Sequence, residues 1–328
     1  MTTVSVILPT LNERAFIRDC LASLQDQNHE LLEILVVDGG STDGTVELAL
    51  RAGAPVSVLT NPKVTAAAAL NTGLEAAKGE VVVRADAHTL YDKSYVRRCV
   101  DGLEEPGVVN VGGPMRAHGS TRFGRAIAAV TSSPLGVGPG RFHYARAKED
   151  VDTVYLGAWR RSDLIAVGGW DEDSLQWGAE DHELNLRLRT GGGRIVLDPD
   201  IRSAYFVRET RPALRRQYFN YGLGKASTLR KHGTLPSWRP LVPAALVGAT
   251  AAAAVLGRGL GARVFVPVVH GLFCAWAARR IAARSRVSPV DAFVATAICH
   301  WSYGAGLWAG LARILVGRPF EARPQGHR

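Results

Sequence analysis

Apolar positions in the first 90 residues fall into short continuous runs that alternate with segments of helical period. VSVIL (4–8) reads as a strand that PTLNE breaks, and EILVVD (33–38), VSVLT (56–60) and EVVVRAD (80–86) repeat the pattern. After the first strand, Phe16, Cys20 and Leu24 recur at i, i+4 and i+8 with Ile17 and Leu21 beside them, which is one face of an amphipathic helix. VELALRAGA and AAAALNTGLEAAK (66–78) supply two further helices. Strands and helices in strict alternation predict parallel pairing through helical crossovers. Strands apolar at nearly every position belong to a sheet covered on both faces. The expected fold class is therefore α/β, doubly wound around a mostly parallel sheet.

The rear of the chain has a different texture. Residues 241–256, 264–278 and 290–316 are three apolar runs nearly free of charge. A membrane-spanning helix takes about 20 apolar residues, a length that only the last run reaches unaided. The first two span if neighbours are recruited and their Arg side chains snorkel, or else form a re-entrant or interfacial hairpin; core helices of a soluble protein are the alternative. RRIAARSR (279–286) predicts a cytoplasmic loop. The Arg-bearing tail (313–328) prefers the same side, which leaves the number of crossings open. The opening MTTVSVILPTLNE has no basic start, apolar core and cleavage site, so the front domain is expected in the cytoplasm.

Charge divides along the same line. Residues 1–207 carry 21 Lys and Arg against 27 acids, whereas residues 208–328 carry 18 against 3. A half this basic suits nucleic acid on charge alone. Its Arg residues, however, cluster between and beside the apolar runs, as at the flanks of membrane segments, so anionic lipid is the expected partner and nucleic acid is excluded. Cys20, Cys99, Cys274 and Cys299 are scattered and show no zinc or redox spacing, which points to free thiols.

Open α/β sheets bind ligands beyond the carboxyl ends of their strands, where Asp38 and Asp86 are placed. Either alone reads equally as a turn or helix-capping residue. Together they suit a nucleotide and metal site. Asp38 precedes the glycines of DGGSTDGT, unlike a dinucleotide fingerprint, and is suited to accept from a uracil or ribose donor. Asp86 and His88, two residues apart on an emerging loop, offer an oxygen and a nitrogen to a divalent ion shared with phosphate oxygens.

PTLNE, DGGSTDGT, RADAH, GAEDHELNLRLRTGG and RRQYFNYG occur in the order seen in family 2 glycosyltransferases. Over roughly residues 3–225 the chain resembles the membrane-associated, succinoglycan-type bacterial branch. The resemblance implies a GT-A fold, a nucleotide-diphosphate sugar donor such as a UDP-sugar, a Mg²⁺ or Mn²⁺ ion and inversion at the anomeric carbon. By position, Pro9, Thr10, Asn12 and Glu13 form the first nucleotide-contacting loop, Asp38 meets the uracil, Asp86 contacts ribose or metal, and His88 is a metal ligand. Histidine replaces the second acid of the usual D-x-D motif, leaving the site one negative charge poorer.

The same resemblance makes Asp181 the base that takes the acceptor's proton, with Glu180 supporting it; by spacing alone, two acids opening a helix equally read as helix-dipole stabilisers. ELNLRLR also alternates with period two and passes for a strand. Trp159 and Trp170 fall along the sugar or acceptor side, with core packing an equal alternative. Arg215, Arg216 and Gln217 are positioned to reach the donor or carrier pyrophosphate, and attraction to anionic lipid serves the same residues. A Q-x-x-R-W element of processive relatives is absent, which implies single-sugar addition. The expected organisation is a catalytic domain over 1–207, a basic interfacial segment over 208–238, and membrane-associated helices with a basic tail over 239–328. The expected function is transfer of one hexose from a UDP-sugar to a lipid-linked, polyprenyl-diphosphate-type acceptor at the cytoplasmic face of the cell membrane. A nucleotidyltransferase of related fold and a non-catalytic membrane scaffold are the alternatives.

Overall fold

The computed structural model describes residues 2–138, 140–173, 179–235 and 237–318. The front alternates as its pattern predicts: β1 (Val4–Thr10), α1 (Ile17–Gln25), β2 (Glu33–Asp38), α2 (Thr45–Arg51), β3 (Val56–Thr60), α3 (Ala66–Ala76), β4 (Val81–Arg84), β5 (Thr89–Tyr91) and α4 (Tyr95–Leu103). It continues through β6 (Val108–Gly113), β7 (Arg116–His118), α5 (Arg122–Thr131), the short α6 (Pro134–Val137), β8 (Glu149–Asp150), β9 (Tyr155–Arg160), α7 (Arg161–Ala166), α8 (Glu180–Thr190), β10 (Arg194–Leu197) and β11 (Ser203–Phe206). Four helices follow: α9 (Arg211–His232), α10 (Leu241–Leu256), α11 (Leu260–Ser285) and α12 (Pro289–Leu315).

The main sheet has eight strands in the order β3-β2-β1-β4-β9-β6-β10-β8. Pairs among β3, β2, β1 and β4 are parallel, as is β6 with β10, while β9 runs antiparallel between β4 and β6. Val6, Ile7 and Leu8 of β1 and Val82 and Val83 of β4 are fully buried, because α1 and α4 cover one face and α3 and α8 the other. Register sets the functional rim. Thr10 pairs with Asp38 and Ile7 with Arg84, so the chain leaves β1, β2 and β4 on the same edge. A small second sheet, β5-β11-β7, flanks that edge.

ELNLRLR lies within a helix, not a strand. Leu184 and Leu188, four apart, bury together against Trp159 and Trp170, and Glu183 pairs with Arg187 one turn on. That tertiary contact resolves an ambiguity of period.

The apolar run over 290–316 forms α12, which packs against α5, α9, α10 and α11 and buries Ala292, Ala295, Cys299 and Leu307. Close approach to α9 depends on Gly306 and Gly222: a Cβ at Gly306 would lie 2.0 Å from the Phe219 carbonyl oxygen, and one at Gly222 would lie 2.2 Å from that of Tyr303. The helix long and apolar enough to cross a membrane, among the described residues, is instead α11, at 26 residues. At 1.5 Å per residue it spans about 39 Å, more than the ~30 Å hydrocarbon core. Leu260, Phe265, Val268 and Leu272 on it are exposed, and Arg279, Arg280 and Arg284 gather toward its carboxyl end. Residues 319–328 of the basic tail lie outside the described residues.

Candidate active site

Two loops on the rim lock one another. Asn12 accepts from the Thr42 amide through Oδ1 at 2.9 Å, and its own amide donates to Ser41 Oγ at 2.8 Å. The Glu13 amide donates to Thr45 Oγ1 at 2.9 Å, and that of Arg14 to Asp43 Oδ2 at 3.0 Å. DGGSTDGT thus supplies short oxygen-bearing side chains that satisfy the backbone of PTLNE, which holds Glu13 at the site. Asp38 closes its own turn: Oδ2 accepts from the Gly40 and Ser41 amides at 2.8 and 2.9 Å, and Oδ1 from Ser41 Oγ.

Past the end of β4, Asp86 and His88 line a cavity of about 840 Å³. The Asp86 amide donates to Tyr91 Oη at 2.7 Å, which fixes the loop. His88 Nδ1 lies 3.5 Å from Glu13 Oε1, and its ring packs edge-on against Tyr205. A carboxylate and an imidazole on one wall are donor types that a divalent ion takes.

Arg84, the last residue of β4, is buried and gathers three acids. Its Nη1 lies 2.6 Å from Asp181 Oδ1 and 3.1 Å from Glu180 Oε1, and its Nη2 lies 3.6 Å from Asp86 Oδ1. The acids arrive from two directions, Asp86 along its own chain and the others at the amino terminus of α8. Trp170 Nε1 donates to Asp181 Oδ1 at 3.1 Å. Burial pushes the Asp181 carboxyl up to about 6, with Glu180 adding to the rise while Arg84 and the Trp170 hydrogen bond oppose it. A carboxylate so poised takes a proton near neutral pH.

The cavity runs from this cluster into the rear helices. Thr10, Glu13, Asp86, His88, Glu180 and Asp181 form one end. Val242 and Leu246 of α10, Phe273 of α11 and Cys299 of α12 form the other, and Lys225 of α9 and Arg239 lie on its wall as well. Polar and apolar ends share one space.

Of the residues expected from sequence, the structure brings Pro9, Thr10, Glu13, Asp86, His88, Glu180, Asp181 and Gln217 to this cavity. Asn12 and Asp38 stay on the rim, committed to the loops. Of the two readings of Trp159 and Trp170, the structure has core packing and not sugar-facing rings: they are buried edge-to-face, centroids 5.5 Å apart, because β9 inserts between β4 and β6 and carries Trp159 into the core. Trp170 serves the site only through its indole N–H. Arg215 and Arg216 are exposed and off the cavity wall. α9 turns Gln217, Asn220, Tyr221 and Lys225 inward, at i, i+3, i+4 and i+8, which points the arginine pair elsewhere. Gln217 donates to Tyr205 Oη and Tyr221 Oη at 3.1 and 2.9 Å. Trp177 and Gly178 of the WGAEDHEL stretch lie outside the described residues.

Sequence reasoning missed Arg84, Lys225 and Arg239. Arg84 stands inside RADAH, and a cation ending a buried apolar strand is itself a signal, since it needs acids around it. His270, Cys274 and His300 are the one trio of His, Cys or acidic donors within 4.8 Å of one another among the described residues; they lie between α11 and α12, and His270 and His300 line the same cavity as Asp86 and His88.

Comparison with known proteins places this geometry. The model of the glycosyl transferase family 2 domain matches residues 5–158. The succinoglycan biosynthesis protein ExoA of Rhizobium meliloti is 31% identical over 321 residues, covering 94% of this chain and 95% of that protein. A dolichyl N-acetyl-alpha-D-glucosaminyl phosphate 3-beta-D-2,3-diacetamido-2,3-dideoxy-beta-D-glucuronosyltransferase of Methanococcus voltae is 27% identical over 248 residues, covering 70% of this chain and 75% of its own length. Among solved structures, the mannosyltransferase PcManGT of Pyrobaculum calidifontis, in complex with GDP-Man and Mn²⁺, superposes with a TM-score of 0.62 at 22% identity, covering 91% of this chain and 87% of that one. S. aureus TarS 1-349 in complex with UDP-GlcNAc gives 0.52 at 16% identity, covering 98% and 93%.

Proposed function

The chain belongs to glycosyl transferase family 2 and has the GT-A fold, and from that premise we propose that it moves a single hexose from a UDP-sugar to a lipid-linked, polyprenyl-diphosphate-type acceptor in cell-surface or exopolysaccharide synthesis. The observation that carries this reading is the single cavity joining the Asp86–Asp181 cluster to the apolar faces of α10 and α11. An amphiphilic acceptor needs both ends. The name of the archaeal relative, which includes a dolichyl-linked phosphate, and that of the rhizobial one support the substrate class.

In this reading the acceptor hydroxyl attacks the anomeric carbon from the side opposite the diphosphate, with inversion. Asp181 takes the hydroxyl proton, the bond from carbon to diphosphate oxygen breaks, and UDP departs. Glu180 raises the proton affinity of Asp181, and Arg84 and Trp170 fix its position. Asp86 and His88 would hold Mg²⁺ or Mn²⁺, which when bound supplies countercharge to the leaving diphosphate. The exposed apolar face of α11 and the basic cluster at its carboxyl end support membrane association, with the catalytic domain and RRIAARSR, which forms the last turns of α11 and not the expected loop, on the cytoplasmic face.

Purified full-length protein in lipid nanodiscs, given a panel of UDP-sugars, a polyprenyl-diphosphate-linked acceptor and Mn²⁺ or Mg²⁺, should release UDP and elongate the lipid by one sugar. Asp181→Asn should lower kcat about 10²–10⁴-fold. Turnover equal to wild type in both Asp181→Asn and Asp86→Ala would remove these residues from the reaction.

A further inference from the structure

Lys225 is the one lysine lining the cavity among the described residues. It sits on α9 between Tyr221 and the apolar wall, is 8% exposed, and makes no hydrogen bond or ion pair with the described residues. Arg239 beside it pairs with Asp152, whose charge is thereby answered. Asp86, Glu180 and Asp181 gather on Arg84, and none of them forms an ion pair with Lys225. Among the described residues this ammonium has no hydrogen-bond or ion-pair partner, it faces a cavity, and a buried ammonium is costly unless an anion meets it.

We propose that Lys225, flanked by Arg239, seats the phosphate groups of the acceptor, an isoprenoid-type diphosphate whose sugar points to Asp181 and whose chain lies along Val242, Leu246 and Phe273. This rests on the lipid-acceptor reading above and gives that acceptor its anchor. Position decides between acceptor and donor: Asp86 and His88 rise from the strand rim, whereas Lys225 belongs to the helix that faces α10 and α12. Glu180 lies near enough to Lys225 to favour its charge, so the seat adjoins the Asp181 end of the cavity. Burial brings the Lys225 ammonium down to about 7, with Asp152 and Glu180 resisting and Arg239 assisting. An arriving phosphate reverses that shift and is held in return. The exposed Arg215 and Arg216 play no part in the seat.

Equilibrium binding on the full chain in nanodiscs tests it, with farnesyl diphosphate, farnesol, inorganic diphosphate and UDP with Mn²⁺ as separate probes. Wild type should bind farnesyl diphosphate about 10–100-fold tighter than farnesol, the range of a charge-assisted contact in a desolvated site. Inorganic diphosphate should bind more weakly than farnesyl diphosphate. Lys225→Met should erase the preference over farnesol and leave UDP affinity unchanged; Lys225→Arg should keep most of it, and Arg215→Gln all of it. Undiminished farnesyl diphosphate binding by Lys225→Met overturns the seat while the lipid-acceptor reading stands. Failure of wild type to bind either farnesyl compound overturns that reading and the seat together. Loss of UDP affinity in Lys225→Met assigns the lysine to the donor, and equal binding of inorganic and farnesyl diphosphate removes the amphiphile; either result refutes the proposal.

Discussion

Replacing Arg84 by Gln removes one buried charge while keeping an amide that still donates to the acids. Asp181 then loses a cation whose guanidinium nitrogen lies 2.6 Å from its Oδ1. Taking ~4 Å between charge centres and an effective dielectric of ~20, that attraction is worth about 4 kcal/mol. One pKa unit corresponds to about 1.4 kcal/mol, so the full loss would raise the Asp181 carboxyl by ~3 units. Glu180 and Asp86 share the same cation, which reduces the effect to about 2–3 units. The sign follows from the role: a base must be ionised, and its proton affinity has risen. At pH 7 the ionised fraction falls from about nine-tenths, for a group near 6, to about 1–10%, and kcat/KM falls with it about 10–100-fold. The assay is UDP release against pH with donor and acceptor below KM. Wild type should rise through about pH 6, and Arg84→Gln through about pH 8–9, with activity largely regained above that. An unmoved limb with a uniform loss at every pH would show that Arg84 only maintains the fold here, and the electrostatic reasoning would fail.

Trp170→Phe keeps most of the buried ring but deletes the donor to Asp181 Oδ1. The acid limb should move up by about one unit, a charge-assisted hydrogen bond being worth about 1.5 kcal/mol, with thermal stability nearly preserved; an unchanged pH profile would refute the coupling. Gly306→Val places a side chain against the Phe219 carbonyl of α9, so the two helices must part, at a cost of about 1–3 kcal/mol that thermal unfolding in detergent should read as a lower Tm. Chelation should abolish transfer, and Mn²⁺ or Mg²⁺ should restore it in wild type; restoration at the same metal concentration in Asp86→Ala would release that residue from the metal.

How much of this was legible beforehand depends on whether a feature is local. The strands over 4–10, 33–38 and 81–84 were readable because burial on both faces writes itself as an apolar run, the half-exposed edge strand over 56–60 showed in its β-branched residues, and the placing of Asp86 beyond one of them followed from topology. The roles of Trp159, Arg215 and Arg216 depended instead on non-local facts. Trp159 lies in the core because β9, from residue 155 onward, slips antiparallel between strands formed by residues 81–84 and 108–113, a pairing with no periodic trace. Arg215 and Arg216 face outward because contact between Gly222 and α12 sets the rotation of α9, and a polar helix with no apolar stripe does not announce its inner face. The length of its uncharged run favoured 290–316 over 264–278 as a spanning segment, yet α11 is the helix apolar enough to span, with an exposed apolar side, while α12 packs on four helices. The division of charge is non-local in the same way. One arginine at the end of β4 gathers three acids drawn from positions 86, 180 and 181, while the lysine on α9 has no ion-pair partner among the described residues and lines the cavity, where a substrate can meet it.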